Sequence, residues 1–434
     1  MDLLRIQGGE RLEGRVAISG SKNATLPVMA AALLTDEPVE LVNIPDIEDI
    51  DAMAEMLRHL GAEVESRPEG HWRIHAAEVR AVEVGPDLTR RMRGSFLLLG
   101  SLLARAGEAA IAKPGGDDIG MRRVEQHLEG LRLMGADVVE ERDTYVARAK
   151  RLHGAHIYLD MPTVTGTENL MTAAVLADGI TVISNAAREP HVYDLARFLV
   201  GMGARISGAG TELVVVEGRP SLLHGTTHSV TTDYIEAGTY MVAAAATGGD
   251  VSVERMRPTD MRALTNKLRA AGCDVVEGAA HVRVRGGTVR PTDVTTWPHP
   301  GFATDLQPQF GALMTQANGT SVISEALYEN RFRHVGLLRS MGAHISVEGR
   351  SAIINGPRRL RGSRVAVPDI RSGAALVIAG LCAEGVTELE HVFHLDRGYE
   401  QLESKLRGLG ARVDRVRGIS ESPGQRDLSG VIGD

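Results

Sequence analysis

One phrase occurs six times along the 434 residues of the chain. Each copy is the apolar end of a helical pattern, then a glycine, a small residue, one polar residue and a valine or isoleucine. The glycines, separated by 74, 68, 69, 70 and 68 residues, are Gly61, Gly135, Gly203, Gly272, Gly342 and Gly410. A fixed period is typical of a chain built from repeated supersecondary units. We therefore predict six structural repeats.

The residues around each glycine predict a helix followed by a strand. Before Gly61, the apolar residues Ile50, Met53 and Leu57 recur at the helical period. The glycine then suits a left-handed residue that ends the helix. A second phrase alternates with the first and consists of a small-residue helix, a glycine and a strand. Because small residues let helices pack closely, we expect these second helices to be buried. Copies of the second phrase are residues 171–179, 241–249, 311–319 and 374–385.

Each unit is thus two helices alternating with short strands, which makes the fold class α/β. Six such units predict a repeated α/β architecture, grouped three and three. The alternative is an ordinary doubly wound α/β protein, but a dinucleotide-binding sheet does not repeat at this period.

Composition excludes several classes of protein. Hydrophobic residues make up 43% and charged residues 24%, as in soluble globular proteins, which excludes wholesale disorder. A net charge of −8 and few aromatic residues disfavour a nucleic-acid binder. The sequence has no membrane-length apolar run and no signal-peptide pattern at its start. Its two cysteines, Cys273 and Cys382, cannot form a disulfide framework. We expect a cytoplasmic protein without membrane or nucleic-acid partners.

Common catalytic and cofactor motifs are absent from the sequence. It contains no GxxxxGK[ST], HExxH or GxSxG pattern. His391 and His394 are three residues apart, but a pair without a third ligand is a weak metal signal. We therefore expect neither a metal ion nor a cofactor.

Irregular segments at helix starts contain the candidate site residues. Lys22 and Asn23 follow a Gly-Ser pair at the start of a small-residue helix. A lysine there suits an anionic ligand, and a solvated lysine in a turn is the alternative. Arg93 precedes an apolar run, where arginine is often only a helix-start charge. Arg331 and Arg397, at loop-to-helix junctions, suit a clamp for phosphate or carboxylate.

Two segments contain candidate proton-transfer groups. In residues 113–123, three glycines accompany the adjacent carboxylates Asp117 and Asp118. Adjacent carboxylates raise each other's pKa, so one of them could hold a proton near neutral pH. The alternative for this segment is a flexible acidic surface loop. Asp305 lies between a Pro/Gly turn and a helix, where it could be a general base or only a helix N-cap.

Several of these motifs, in this order, resemble those of the enolpyruvyl transferases. The likeness runs over about residues 1–418 and is closest to the members that act on a UDP-linked sugar. It implies a two-domain inside-out α/β barrel with three βαβαββ units per domain. One domain would be residues 22–231, the other residues 1–21 with 232–434, and residues 419–434 would be a mobile tail. The motifs are Lys22-Asn23, Pro114-Gly115-Gly116, Asn-Ala-Ala-Arg-Glu-Pro at 185–190, Thr304-Asp305, Glu-Asn-Arg-Phe at 329–332 and Asp-Arg-Gly-Tyr at 396–399.

The resemblance also implies a reaction, without cofactor or metal. Enolpyruvyl would pass from phosphoenolpyruvate to the 3-hydroxyl of UDP-N-acetylglucosamine by addition and elimination, with release of phosphate. Asp117 would be the general acid, Asp305 the base that contacts the sugar hydroxyl, and Lys22 and Arg397 would assist catalysis. The residues that would hold phosphoenolpyruvate are Lys22, Arg122, Arg331 and Arg397, with Arg93 and Asn23 at the junction with the acceptor. The residues near the UDP-sugar would be Val124, Glu125, Thr163, Val164 and Leu327, with Asp369, Arg371 and His394 in support.

The chain departs from the family pattern in ways that bear on the acceptor. Most members have Cys where this chain has Asp117, and a carboxylic acid can also donate a proton. The phosphoenolpyruvate clamp is intact, so the donor is better supported than the acceptor. Two alternatives stay open, namely an enolpyruvyl transferase with another nucleotide or sugar acceptor and a non-catalytic paralogue that binds a UDP-sugar. Other departures are Arg123, Glu125 and Gln126 in the family's Arg-Pro-Val-Asp-Leu-His, residues 163–167, His191 for Glu, and Thr232 and Tyr234 for Pro and Arg.

Overall fold

The computed structural model of the protein describes residues 2–416. The expected mobile tail, residues 419–434, lies outside the described residues. All six repeat glycines have a positive φ angle, between 92° and 106°. The first of them, Gly61, follows the helix Glu48–His59 and precedes the strand Glu63–Arg67. The predicted left-handed residue at the end of each repeat helix is confirmed.

The described residues form 24 strands and 14 α-helices, with short 3-10 turns between some of them. The strands are β1 (Leu3–Gln7), β2 (Glu13–Ala17), β3 (Val39–Val42), β4 (Glu63–Arg67), β5 (His71–His75), β6 (Glu83–Val84), β7 (Glu108–Ala112), β8 (Asp137–Glu141), β9 (Thr144–Arg148), β10 (His156–Tyr158), β11 (Gly179–Ser184), β12 (Arg205–Ser207), β13 (Leu213–Gly218), β14 (Thr227–Ser229), β15 (Asp250–Glu254), β16 (Asp274–Glu277), β17 (His281–Arg285), β18 (Val294–Thr295), β19 (Gly319–Ser324), β20 (His344–Glu348), β21 (Ser351–Gly356), β22 (Arg364–Ala366), β23 (Val386–Glu390) and β24 (Arg412–Val416). The helices are α1 (Lys22–Ala31), α2 (Glu48–His59), α3 (Pro86–Thr89), α4 (Leu98–Ala106), α5 (Glu125–Leu133), α6 (Val164–Ala174), α7 (Pro190–Gly201), α8 (Tyr234–Ala246), α9 (Arg262–Ala270), α10 (Gln307–Met314), α11 (Arg333–Ser340), α12 (Ile370–Cys382), α13 (Phe393–Asp396) and α14 (Leu402–Gly408).

The strands form six sheets of four strands with one shared topology. In each sheet the first two strands are parallel and the remaining neighbours are antiparallel. A parallel pair needs a crossover connection, and in the sheets that contain β6, β10 and β18 this connection includes a helix, so that the continuous unit is βαβαββ. The other three sheets have the same strand order but combine strands from distant parts of the chain. The predicted six-unit α/β fold is confirmed. The sheet orders are β14-β3-β5-β4, β6-β7-β9-β8, β10-β11-β13-β12, β2-β15-β17-β16, β18-β19-β21-β20 and β22-β23-β1-β24.

One helix of each unit is buried, as the small-residue phrases predict. Every residue of α10 is buried, and so is α12 except its last residue, Cys382. Helices α8, α10 and α12 contact one another, and α4 contacts α1 and α6. The burial of these Ala- and Gly-rich helices confirms the sequence prediction.

The hydrophobic core consists of two separate clusters. One contains buried residues between Ala24 and Val230. The other contains Leu4 to Ile18 and Ile235 to Val413. The two chain crossings run side by side, since the Ser21 amide donates to Thr231 O (2.8 Å) and the Asp233 amide to Ser19 O (2.9 Å). These clusters support the proposed domains, residues 22–231 and residues 1–21 with 232–434. We call their described parts the first half and the second half.

Candidate active site

A cleft of about 550 Å³ is lined by residues of both halves. Six buried helical segments begin at this cleft, because the first residue of each segment lines it. A helix N-terminus presents unpaired N–H groups and a partial positive charge, which favour anions. The fold therefore builds an anion-binding cleft before any side chain is considered. The six first residues are Lys22, Arg93, Val164, Tyr234, Thr304 and Ile370, where Arg93 and Thr304 open 3-10 turns that lead into α4 and α10.

A buried ion-pair cluster joins the two halves across the cleft. The Lys22 ammonium lies 3.1 Å from Asp49 Oδ2. Arg397 Nε donates to Asp49 Oδ1 (2.9 Å) and Arg397 Nη1 to Asp117 Oδ1 (2.8 Å). Burial alone would lower the pKa of Arg397, but Asp49 and Asp117 outweigh it and raise that pKa. Two cations and two carboxylates thus share one desolvated site, and an incoming anion competes with the carboxylates for the cations.

Asp117 is held as a carboxylate by this cluster. Burial acts to raise the pKa of Asp117, but the charges of Arg397, Lys22 and Arg122 outweigh it and lower the pKa. Our expectation that the adjacent carboxylate of Asp118 would raise this pKa is wrong. The Asp118 side chain is 74% exposed and points towards Arg333, 3.9 Å away. Asp117 and Asp118 are adjacent in the chain, but Asp117 faces cations inside the cleft and Asp118 is exposed to solvent.

Asp305 also lines the cleft and lies between two buried arginines, Arg331 and Arg371. Its Oδ1 accepts from Arg331 Nη2 (2.5 Å), and its Oδ2 accepts from Arg371 Nε (3.1 Å). Burial acts to raise the pKa of Asp305, but Arg371 and Arg331 outweigh it and hold the pKa far below the usual range. The N-cap alternative is wrong, because the cap positions of this 3-10 turn and of α10 are Ala303 and Leu306, without side-chain hydrogen bonds.

Arg371 is held in place by Asp369 and Tyr399. Asp369 is the N-cap of α12, and its carboxylate accepts from the Arg371 amide (3.1 Å), the Ser372 amide (2.9 Å) and Ser372 Oγ (2.6 Å). The Arg371 guanidinium lies over the Tyr399 ring, 5.6 Å from its centroid. Asp369 and Tyr399 therefore position Arg371, which itself lines the cleft.

Two more arginines line the cleft, Arg122, which is predicted to hold phosphoenolpyruvate, and Arg93, which is predicted at the junction with the acceptor. Arg93 donates to the carbonyl oxygen of Arg122, and both residues line the cleft. Burial, together with the charge of Arg122, lowers the pKa of Arg93 to about 10. Thr163 caps α6 by accepting from the Gly166 amide (3.3 Å). Asn23, Thr163, Val164 and Leu327 also line the cleft.

The Asp117 loop is fixed against the second half at the mouth of the cleft. The Met121 amide donates to Glu329 Oε1 (2.6 Å). The Asn330 amide donates to Ile119 O (3.1 Å). These contacts place Asp117 over the cleft and bring Arg331, one residue further on, to the same site.

Comparison with known proteins assigns this architecture to a family. The family model for EPSP synthase (3-phosphoshikimate 1-carboxyvinyltransferase) matches residues 6–406. The chain belongs to the EPSP synthase family of enolpyruvyl transferases. A UDP-N-acetylglucosamine 1-carboxyvinyltransferase of Magnetococcus marinus is 49% identical over 419 residues, which are 96% of this chain and 100% of that protein. UDP-N-acetylglucosamine 1-carboxyvinyltransferase 2 of Carboxydothermus hydrogenoformans is 49% identical over 420 residues, with the same coverage.

Solved structures show the same enolpyruvyl transferase fold. The enolpyruvyl transferase NikO from Streptomyces tendae is 27% identical and superimposes with a TM-score of 0.86, covering 95% of this chain and 98% of NikO. EPSP synthase from Acinetobacter baumannii is 20% identical, with a TM-score of 0.75 and coverage of 96% of this chain and 100% of that chain. Because EPSP synthase from Acinetobacter baumannii is only 20% identical, its likeness to this chain concerns the fold alone.

Most of the predicted site residues of this enolpyruvyl transferase line the cleft, but four do not. Val124 is buried and precedes α5, whereas Glu125 begins that helix and is exposed. Asp369 is the N-cap of α12, and His394 lies on the short helix α13. Their direct contact with a ligand stays a prediction. Within residues 2–416, no group of three or more His, Cys, Asp or Glu residues could hold a metal ion, and no helix is long and apolar enough to cross a membrane.

Sequence reasoning missed several residues of the enolpyruvyl transferase cleft. Asp49, the carboxylate between Lys22 and Arg397, lies in the acidic first turn of α2, which looks like ordinary helix-dipole stabilisation. Glu168 lies inside a small-residue helix, where a buried ionisable residue is itself an unusual signal. Glu189 and His191 belong to the segment that carries the family resemblance, but the sequence alone gave them no role.

Proposed function

We propose that the protein transfers the enolpyruvyl group of phosphoenolpyruvate to the 3-hydroxyl of UDP-N-acetylglucosamine and releases phosphate. The main support is the 49% identity, over the full length of both relatives, to proteins named UDP-N-acetylglucosamine 1-carboxyvinyltransferase. In this proposal, the reaction is the first committed step of peptidoglycan precursor synthesis. The cation-rich cleft between the halves supports two anionic substrates.

In this proposal, the cations of the cluster bind phosphoenolpyruvate. Lys22 and Arg397 of the Asp49 cluster, with Arg122 and Arg331, supply positive charge to its phosphate and carboxylate groups. Preorganised cations in a site that excludes water stabilise developing charge more strongly than the same cations in solution. Arg93 and Asn23 lie where donor and acceptor meet.

Proton transfer depends on how substrate changes the two carboxylates. Both Asp117 and Asp305 have a lowered pKa because cations face them. When phosphoenolpyruvate takes up the charge of Lys22, Arg397 and Arg331, those cations stabilise the carboxylates less, and both pKa values rise. Asp117 can then take up a proton and donate it to C3, and Asp305 can accept the proton of the sugar hydroxyl as its oxygen attacks C2. In the tetrahedral intermediate, the C2–O bond to phosphate then breaks, a C3 proton returns to the Asp117 carboxylate, and the C–H electron pair forms the C2–C3 double bond.

We also propose that fosfomycin does not inactivate the protein. The family's usual Cys is Asp117 here, and a carboxylate is a weaker nucleophile than a thiolate. The only cysteines, Cys273 and Cys382, do not line the cleft. Burial raises the pKa of Cys273 to about 11 and that of Cys382 to about 12, which keeps both as unreactive thiols. A cytoplasmic location stays a prediction.

Phosphate release tests the proposed function directly. The protein is incubated with phosphoenolpyruvate and, in separate reactions, with UDP-N-acetylglucosamine, other UDP-sugars, UDP alone and shikimate 3-phosphate. Release with UDP-N-acetylglucosamine is expected, and the enolpyruvyl ether is identified by mass spectrometry. Release only with another acceptor would favour an enolpyruvyl transferase that uses a different nucleotide or sugar acceptor. The departures from the family pattern at His191 and Tyr234 motivate this second candidate. Release with none would contradict transferase activity on these acceptors.

A further inference from the structure

One wall of the cleft contains five ionisable residues and no lysine or arginine. Glu168 lies on α6, Glu189 and His191 at the start of α7, Tyr234 at the start of α8, and His299 in the turn after β18. We call these five residues the neutral wall. It is assembled from both halves, since Glu189 Oε1 accepts from the His299 amide (3.2 Å).

The neutral wall contains three buried polar atoms without a hydrogen-bond partner in the described part of the chain. They are Glu168 Oε1, Glu189 Oε2 and His191 Nδ1. Glu168 is 1% exposed and His191 3% exposed, although both line the cleft. An unpaired buried polar atom destabilises the folded protein, and proteins rarely keep several such atoms together without a use for them. Groups of a ligand in the cleft are their natural partners.

Burial shifts the pKa values of this wall towards the uncharged forms of its residues. Burial, and next the charge of Glu189, raise the pKa of Glu168 well above its usual value. Burial also raises the pKa of Glu189. Burial lowers the pKa of His191 to about 4 and also lowers the pKa of His299. The charge of Arg188 acts on Glu189 and His299, but Arg188 does not line the cleft. The wall therefore presents no cation of its own to a phosphate or a carboxylate.

The neutral wall adjoins the proposed base. The rings of His191 and Tyr234 stack with centroids 6.2 Å apart, and Tyr234 meets His299 edge-on. Asp305 is close enough for its charge to act on both His191 and Tyr234. A ligand that presents a hydroxyl to Asp305 therefore places its neighbouring atoms beside the wall.

We propose that the neutral wall binds the uncharged sugar ring of the acceptor through its hydroxyl and acetamido groups, and thereby determines which sugar is accepted. This inference rests on the proposed function and refines it. A protonated carboxyl both donates and accepts, as a sugar hydroxyl does, and a neutral imidazole can do either at Nδ1. The anionic parts of both substrates stay with the arginines and Lys22.

The test compares the affinity for UDP with that for UDP-N-acetylglucosamine by calorimetry. The ratio of the two dissociation constants measures what the sugar contributes. Glu168→Met should remove most of that contribution, a loss of about tenfold, while leaving the affinity for UDP within twofold. Glu168→Gln should keep it, because an amide donates and accepts like a protonated carboxyl.

Two further variants control the comparison. Ser101→Ala removes another buried oxygen without a partner, one on α4 that does not line the cleft, and should change neither affinity. His191→Phe keeps the ring but removes Nδ1, and it should lower the sugar contribution even if Glu168→Met does not fold. Thermal unfolding checks that each variant is folded.

Several results would overturn the proposal. One is a Glu168→Met variant that keeps the full sugar contribution, or that loses affinity for UDP equally. Another is a Glu168→Gln variant that binds the acceptor normally but does not turn over, since Glu168 would then handle a proton. If the wild-type protein releases no phosphate with UDP-N-acetylglucosamine, the proposed function fails and this proposal with it. If the wild-type protein does release phosphate and only the variants differ from these expectations, the proposal for the neutral wall fails and the proposed function stands.

Discussion

The cleft has an ion-pair side, where Asp117 and Asp305 lie among arginines and Lys22, and it has the neutral wall. Both contain buried carboxyl groups, but the pKa values of these groups are shifted in opposite directions. On the ion-pair side, Asp117 and Asp305 face arginines, and their pKa values are lowered. On the neutral wall, burial raises the pKa values of Glu168 and Glu189, and the charge of Arg188 does not outweigh it at Glu189. Burial acts in the same direction on all four carboxyl groups, so the neighbouring charges decide the outcome.

This difference separates two tasks within one cavity. The ion-pair side can exchange its internal carboxylates for the anionic groups of a substrate, which links binding to a change of protonation. The neutral wall gains nothing from an anion and suits uncharged groups. The following four experiments probe this division, in order of decreasing expected effect.

Asp305→Asn should show the largest effect. Asparagine keeps the size of the side chain but removes the basic site, so turnover should fall by about 10²–10⁴-fold. Steady-state kinetics should show this fall, and calorimetry should show near-normal affinity for both substrates. Turnover close to the wild-type rate would mean that Asp305 only anchors Arg331 and Arg371.

Arg397→Ala should raise the Michaelis constant for phosphoenolpyruvate about 10²–10³-fold, because it removes a cation from a desolvated anion site. Arg415→Ala is the matched control. Arg415 also binds two carboxylates, those of Asp396 and Glu403, but it does not line the cleft. The control should lower the melting temperature without changing this Michaelis constant. The reverse pattern would assign Arg397 a structural role.

Asp117→Cys should make the enzyme sensitive to fosfomycin while preserving turnover. The neighbouring cations Arg397 and Lys22 favour a thiolate, which is the nucleophilic form. Mass spectrometry should find an adduct on the peptide with residue 117 in the variant and none in the wild type. Asp118→Cys is the control, because that side chain is exposed and turned away. A stable wild-type adduct on the Asp117 peptide, with loss of activity, would contradict the proposed insensitivity.

Glu168→Gln should change the dependence of stability on pH. The folded protein holds the Glu168 proton above the usual pKa of 4.5, whereas the unfolded chain releases it. The Glu168 contribution to folding stability therefore falls as pH rises above 4.5. The variant should have the same melting temperature as the wild type near pH 5 and a higher melting temperature than the wild type at pH 8. The difference should stay flat for Glu129→Gln, whose side chain is 64% exposed. A flat difference for Glu168→Gln would show that Glu168 is ionised in the folded protein.

The repeat architecture could be predicted from the sequence because it depends on local rules. A left-handed glycine ends each repeat helix, and small residues line each buried helix, so the pattern itself encodes the six units. Lys22 and Arg331 could also be found, since Lys22 begins α1 and Arg331 lies in the turn before α11, where anions are favoured. The expected position of Arg397 before a helix is wrong, because Arg397 is the C-cap of α13.

The protonation states could not be predicted in the same way. Asp117 and Asp118 are neighbours in the chain, yet one faces Arg397 and the other faces solvent. The charge on Asp117 depends on Arg397 and Lys22, which lie far from it in sequence. Likewise, Asp49 looks like a residue of an ordinary acidic helix start until the fold brings it between two cations. Charge states that depend on residues distant in sequence can therefore be inferred only from the folded structure, whereas helices and strands can be predicted from local sequence.

The two chain crossings also bear on how the protein emerges from the ribosome. The first half is one continuous segment with its own core, and domains generally fold as they are completed. In contrast, β1 pairs only with β23 and β24, where Leu4 lies opposite Leu389 and Arg415. Because β1 is synthesised first, it stays unpaired until β23 and β24 have been synthesised. An unpaired strand is prone to aggregate. We expect nascent chains that end before residue 386 to contain a folded first half preceded by an unpaired β1.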